Sequence, residues 1–158
     1  MAILKIVPGE YLNPDALEKL IHGYVFRKAL RIGGFGVDPE YAAEQMHTVK
    51  QYWNQTQGKQ LHHFVLSFNR RESEQVSSSY QLMLGAYDVC QYYADEYQIV
   101  FGLHRPVSSP NWHIHFVVNN INFVTGARLP DNNRQDYMLR DYMLACYLPS
   151  KQIAVCYD

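Results

Sequence analysis

The fold class this sequence predicts is α+β: a largely antiparallel central sheet of about five strands with helices around it. Three observations carry that expectation. Two segments open with a cap residue followed by proline, Asn13-Pro14-Asp15 and Asp38-Pro39-Glu40, which is how helices begin. Two runs, 59–68 and 112–123, alternate apolar and polar residues with the period of two that a half-buried strand requires. A third, 98–104, precedes the second of these with only a Pro- and Ser-containing loop between them, so the two strands pair antiparallel.

In chain order, Leu17, Ile21, Tyr24 and Lys28 lie on one stripe of the first helix, with Leu20 beside them. Tyr24 at the end of that stripe reads as a core tyrosine or a reactive one, and Lys28 one turn later could hold a phosphate or steady a phenolate. Gly33-Gly34-Phe35-Gly36 lacks the strand-to-helix setting of a phosphate loop and reads as a flexible turn or mobile flap. The second helix buries Ala42, Met46, Val49 and Trp53. In the strand 59–68, Phe64, Leu66 and Phe68 take one face; Leu61, His63, Val65 and Ser67 take the other.

Arg70-Arg71-Glu72 reads as a loop. A helix over 77–97 carries Tyr80, Met83, Leu84, Tyr87, Cys90 and Ala94 at helical spacing. Then come the strand ending at His104, the loop 105–111 and the strand containing Trp112-His113-Ile114-His115-Phe116-Val117-Val118-Asn119. A Thr125-Gly126 turn, a short returning strand at 127–129, a helix from 131–133 to about Tyr147 and a last strand over 152–157 complete the chain.

His113 and His115 sit at i and i+2, so both imidazoles leave the same face of their strand about 7 Å apart. Ile114, Phe116 and Val118 fill the opposite face. A hairpin would bring His104 alongside as a third ring, and three neutral imidazoles form a metal face with coordination positions left open. Spacing alone names no metal.

With 14 basic against 15 acidic side chains, the charge balance gives no global sign of nucleic-acid binding, so such a function needs a local basic patch. Cys90, Cys146 and Cys156 form no Cys-x-x-Cys pair, which excludes a zinc ribbon or thioredoxin-type motif and suits a reduced, cytoplasmic setting. No apolar run approaches membrane-spanning length. With no repeat or linker, 1–158 reads as a single domain.

Over roughly 17–148 the sequence resembles the relaxases, the mobilisation nucleases of conjugative elements with a His–apolar–His motif. The resemblance rests on an ordered set: Gly23-Tyr24-Val25 with Lys28; Gly58-Lys59 leading to His63-Phe64-Val65-Leu66-Ser67-Phe68; a tyrosine-rich helix; His104; His113-Ile114-His115-Phe116-Val117-Val118-Asn119; and Asn122-Phe123-Val124-Thr125-Gly126-Ala127-Arg128. It implies nicking and rejoining of single-stranded DNA at a transfer origin, with Tyr24 attacking a phosphodiester to form a 5′-phosphotyrosine link. His104, His113 and His115 would hold a divalent ion, Mg²⁺ or Mn²⁺. His63, Ser67 and Asn119 are candidate supporting groups. Lys28, Arg31, Arg70 and Arg128, flanking the expected cleft, are candidate DNA contacts, and accessory proteins of the transfer complex are candidate partners.

One departure stands out. The resemblance implies an acid soon after the first histidine, as relatives usually have, whereas His104 is followed by Arg105-Pro106 with no Asp or Glu before His113. The support that normally orients a ligand imidazole must then come from elsewhere. Two other readings stay open: a relaxase-like domain that binds single-stranded DNA or a partner without cutting, and a three-histidine metal hydrolase unrelated to DNA.

Overall fold

A computed structural model of the chain describes residues 1–107 and 110–157. Its centre is a six-stranded sheet built from β1 (Ala2–Ile6), β2 (Arg31–Phe35), β3 (Leu61–Ser67), β4 (Ile99–His104), β5 (His113–Asn119) and β6 (Ile153–Cys156). The spatial order is β2-β4-β5-β3-β1-β6. Every neighbouring pair is antiparallel except β1 with β6. The expected α+β class with a largely antiparallel sheet is therefore what forms.

Helices α1 (Ala42–Tyr52), α2 (Arg70–Glu74), α3 (Ser79–Cys90) and α4 (Asn133–Met143) are joined by a π-helix over Glu18–Val25 and a 3₁₀ turn over Pro39–Tyr41. The two faces of the sheet are covered differently. Against one, α3 and α4 bury a continuous core that includes Phe64, Phe101, Phe116, Leu82 and Met143. Against the other, the π-helix and α1 bury a smaller cluster, Leu17, Ile21, Val25, Met46, Val100 and Val117 among them. Alternation places Phe116 and His115 on opposite sides of one strand.

Several elements depart from the sequence reading. The glycine stretch 33–36 begins as edge strand β2, not a flexible flap. A Cβ on Gly33 would lie 2.4 Å from the Tyr87 hydroxyl, and one on Gly34 would lie 2.5 Å from the Ile99 carbonyl oxygen. The glycines are there for close packing, as an isolated glycine in a strand often is. Arg70–Glu74 is a helical turn closed by a capping box between Asn69 and Glu72, where a loop was expected. β1 had no counterpart among the expected strands.

Helix α3 ends at Cys90 rather than near Tyr97, and β5 ends at Asn119 rather than near Phe123. The returning strand at 127–129 reduces to one bridge, Ile121 with Arg128. In α1 the fourth buried position is Lys50, where Val49 was expected. Its ammonium donates to the Gln60 carbonyl (2.8 Å) and to the side-chain oxygens of Asn119 and Asn120 (2.6 Å each). Three acceptors meet three N–H donors, which offsets the cost of taking the charge out of water.

The first helix differs most. Its buried residues are Leu17, Ile21 and Val25, spaced by four, and the Phe26 N–H donates to the Ile21 carbonyl five residues back at 2.8 Å. That wider π winding carries Val25 into the core and turns Tyr24 out of it. π windings are uncommon and concentrate at functional sites.

Candidate active site

The three strands that meet in the middle of the sheet place the histidines by register alone. His104 is paired with His113 across β4 and β5, and His115 faces Gly102. On the other side of β5, Ser67 faces His113 and Val65 faces His115. All these side chains share the face on which the π-helix lies. The ring centroids of His104 and His115 are 4.4 Å apart, those of His104 and His113 5.1 Å, and those of His113 and His115 5.4 Å. One ring nitrogen from each falls within 4.8 Å of the others.

Nitrogens that share one cation at about 2.1 Å stand roughly 3–3.5 Å apart, so small ring rotations close the set. Burial, followed by the neighbouring imidazoles, lowers the pKa of His115 to about 2. Burial is also the main cause depressing His104. Both rings are therefore neutral with a lone pair to give, which is the state a metal ligand needs. The donor set fits a divalent cation.

Each ring is held from behind. His104 Nε2 lies 2.8 Å from the Val25 carbonyl oxygen, so it donates there and leaves its lone pair on Nδ1. His113 Nδ1 faces the Asn111 carbonyl at 3.3 Å. His115 Nδ1 lies 3.0 Å from His63 Nε2, and His63 Nδ1 lies 3.1 Å from the Tyr11 hydroxyl. If His115 presents Nε2 to an ion, its Nδ1–H donates to His63, and His63 in turn donates to Tyr11. Burial lowers the His63 pKa to about 4, so that this ring also accepts as a neutral imidazole.

Tyr24 is 38 % exposed and sits with its ring edge-on to two of the histidines, 5.3 Å from His115 and 5.9 Å from His104 between centroids. Lys28 Nζ lies 5.1 Å from the centre of the Tyr24 ring. An open groove of about 690 Å³ passes from Tyr24 over His115, His63 and Ser67 to Ile3 and Lys5 on β1. Among the described residues its lining comes from strands and loops, apart from Tyr24 of the π-helix.

The structure thus brings together Tyr24, Lys28, His63, Ser67, His104, His113 and His115. It places the other candidates elsewhere. Asn119 is buried, and its amide donates to the Met46 carbonyl and to Gln98 while its oxygen accepts from Lys50. It stands four residues beyond His115, about 13 Å along the strand. Arg31 shares the face of Leu103, away from the histidines, and donates to Ser79 Oγ at 2.7 Å. Arg70 lies just beyond Ser67, at the histidine end of β3, and pairs with Glu74 at 3.1 Å. Arg128, at the opposite end of β3, donates to the carbonyls of Gln57 and Lys59. Tyr11, Gly102 and the Val25 carbonyl belong to the site and were not singled out from sequence. Only Gly102 left a signal, a glycine inside the apolar run Ile99-Val100-Phe101-Gly102-Leu103.

Among the described residues, no helix is long and apolar enough to cross a membrane. Neither a curated protein nor a solved structure matches the chain. A family model does: that of the relaxases, described as the MobA/VirD2-like nuclease domain, matches residues 24–145. The match begins at Tyr24, takes in all four site histidines and covers well over half of the sequence. The chain belongs to the relaxase family, whose nuclease domains nick DNA during mobilisation.

Proposed function

We propose that this chain nicks and rejoins single-stranded DNA at a transfer origin, with Tyr24 as the nucleophile and His104, His113 and His115 as the ligands of a divalent cation. The observation that carries this reading is the placement of a half-exposed phenol edge-on to two rings of a converging histidine triad. His104, His113 and His115 would hold the cation, which would supply charge withdrawal from the phosphodiester and help orient it. Three imidazoles with no carboxylate favour Mn²⁺ over Mg²⁺, which prefers oxygen ligands.

The chain's own residues do the rest. Tyr24 Oη forms a bond to phosphorus as the bond to the 3′ oxygen breaks. The phenolic proton is lost to solvent, and the departing 3′ oxygen takes one up. The product is a 5′-phosphotyrosine link and a free 3′ hydroxyl, whose return attack reseals the strand without another energy source. Lys28, beside the phenol, lowers the cost of phenolate character and is placed to contact a phosphate. Ser67 and the apolar floor of the groove line the path for unpaired nucleotides, with Lys5 within it.

The test is incubation with Mn²⁺ and labelled single-stranded oligonucleotides tiling the DNA that flanks the chain's own gene. The expected result is strand cleavage with a covalent protein–DNA species that Tyr24→Phe abolishes. Salt-dependent binding with no cleavage of any oligonucleotide contradicts this reading and leaves a binding module.

A further inference from the structure

We propose that Gly102 is a positioning residue that stands in for the acid missing after His104. Because it carries no side chain, the last turn of the π-helix can approach the sheet until the Val25 carbonyl accepts the Nε2–H of His104. One main-chain oxygen then orients a ligand ring and fixes the place of the adjacent nucleophile. This inference rests on the metal-and-tyrosine reading of the site.

Four observations converge on it. Gly102 lies on the site face, directly opposite His115 in the register of β4 with β5. A Cβ there would meet Val25 Cγ1 at 2.7 Å and the Val25 carbonyl oxygen at 2.8 Å, with Ala29 Cβ at 3.3 Å. Two of these three atoms belong to the residue that holds His104, so the contact that forbids a side chain is the contact that orients the ligand. The Val25 oxygen to His104 Nε2 distance is 2.8 Å, a good neutral hydrogen bond. Finally, no Asp or Glu lies between His104 and His113 to do this job by side chain.

The consequence is geometric. A ligand imidazole ordinarily donates its second N–H to a carboxylate, a carbonyl or water, and loss of that partner typically weakens metal affinity 10–100-fold. Here the partner is the main chain of residue 25, one position from Tyr24. Any displacement of the helix from the sheet therefore disturbs the ligand and the nucleophile together. A side-chain acid would have left the two independent.

The test compares the wild-type protein with Gly102→Ala and, as a control, Gly33→Ala. The control crowds Tyr87 and Phe101 on the opposite face without touching the π-helix. Three readouts are taken: thermal stability, Mn²⁺ uptake followed by electron paramagnetic resonance, and ¹⁵N ring spectra reporting which histidine nitrogen carries the proton. The expected result is a protonated Nε2 on His104 in the wild-type apo protein. Gly102→Ala should lose that fixed tautomer and bind Mn²⁺ at least tenfold more weakly, whereas Gly33→Ala should lose stability and keep wild-type Mn²⁺ affinity.

A wild-type His104 protonated on Nδ1 overturns the inference even if Gly102→Ala fails to fold. So does a Gly102→Ala protein with Mn²⁺ affinity within twofold of wild type. Absence of any Mn²⁺ uptake by the wild-type chain overturns the metal reading itself and the inference with it, so the two failures are distinguishable.

Discussion

The two faces of the sheet are made by alternate residues of the same strands, yet they serve different ends. In β5, Ile114, Phe116 and Val118 point into a continuous core under α3 and α4, while His113 and His115 point to a face that is only half covered. In β3, Phe64 and Leu66 oppose His63 and Ser67 in the same way. The packed face needs no polar group near its centre, so the open face can carry four imidazoles beside a tyrosine without threatening the fold. Stability and chemistry are thereby separated by a single step along the chain.

The sharpest way to test that separation is to mutate neighbouring residues. Phe116 is fully buried and stacks on Phe64 with centroids 4.9 Å apart. Phe116→Ala should cost about 3–5 kcal/mol of unfolding free energy in a denaturant titration. His113→Ala, three positions earlier and half-buried, should change stability by less than about 1 kcal/mol. On the proposed coordination it should instead lower Mn²⁺ affinity by more than the roughly 10–100-fold typical of losing a ligand's hydrogen-bond partner, because the proposed ligand itself is removed. Similar stability losses for both would show that the faces are not independent.

Acid should act through buried rings on both faces. Burial lowers His62, on the packed side, to about 4, and also lowers His63 and His115 on the open side. The unfolded chain protonates these rings near their ordinary value of about 6.5, whereas the folded chain resists it. Below pH 6.5 the unfolded state binds more protons, so stability falls as pH falls through the window from about 6.5 to 4 and is unaffected above it. A thermal midpoint measured from pH 8 to pH 4 should be flat and then drop, with a loss on the order of a few kcal/mol.

Lys50 sharpens the comparison along the sheet. Lys50→Met removes the donor shared by Asn119, Asn120 and Gln60, and unpaired buried acceptors typically cost about 1–3 kcal/mol. Mn²⁺ affinity should stay within twofold, because this network lies at the far end of β5 from the histidines.

A smaller effect is expected at His63. His63→Phe deprives His115 Nδ1 of its partner and should weaken Mn²⁺ binding about tenfold, whereas His63→Gln, which keeps an acceptor at similar reach, should recover most of it. Isothermal titration of both variants separates a hydrogen-bonding role from mere filling of space. The smallest change is expected for Lys28→Gln. It should reduce the salt dependence of single-stranded DNA binding by about one phosphate contact and leave metal affinity unchanged.

What sequence could reveal follows the same divide between local and distant causes. The His-x-His strand and the two-faced run 61–67 are written in period-two alternation, and the preceding strand ending at His104 in a short apolar run; both signals depend on near neighbours only. β2 was obscured because Gly33 and Gly34 answer to Tyr87, Phe101 and Ile99, which are far away in the sequence. The outward turn of Tyr24 depends on a π winding, and a 3.6-residue periodicity puts that residue on the buried stripe. Lys50 resembles any surface lysine until Asn119 and Asn120 fold over it. The main-chain support for His104 leaves no side-chain signature at all, beyond a glycine where a strand would ordinarily have a larger residue.

The most direct test of the central claim is peptide mapping of the DNA-linked protein. After reaction with Mn²⁺ and the cleaved oligonucleotide, nuclease trimming and tryptic digestion should leave the nucleotide remnant on the peptide spanning Leu20–Arg27, whose single tyrosine is Tyr24. A remnant on any other of the chain's 13 tyrosines contradicts the assignment of the nucleophile beside the histidine triad.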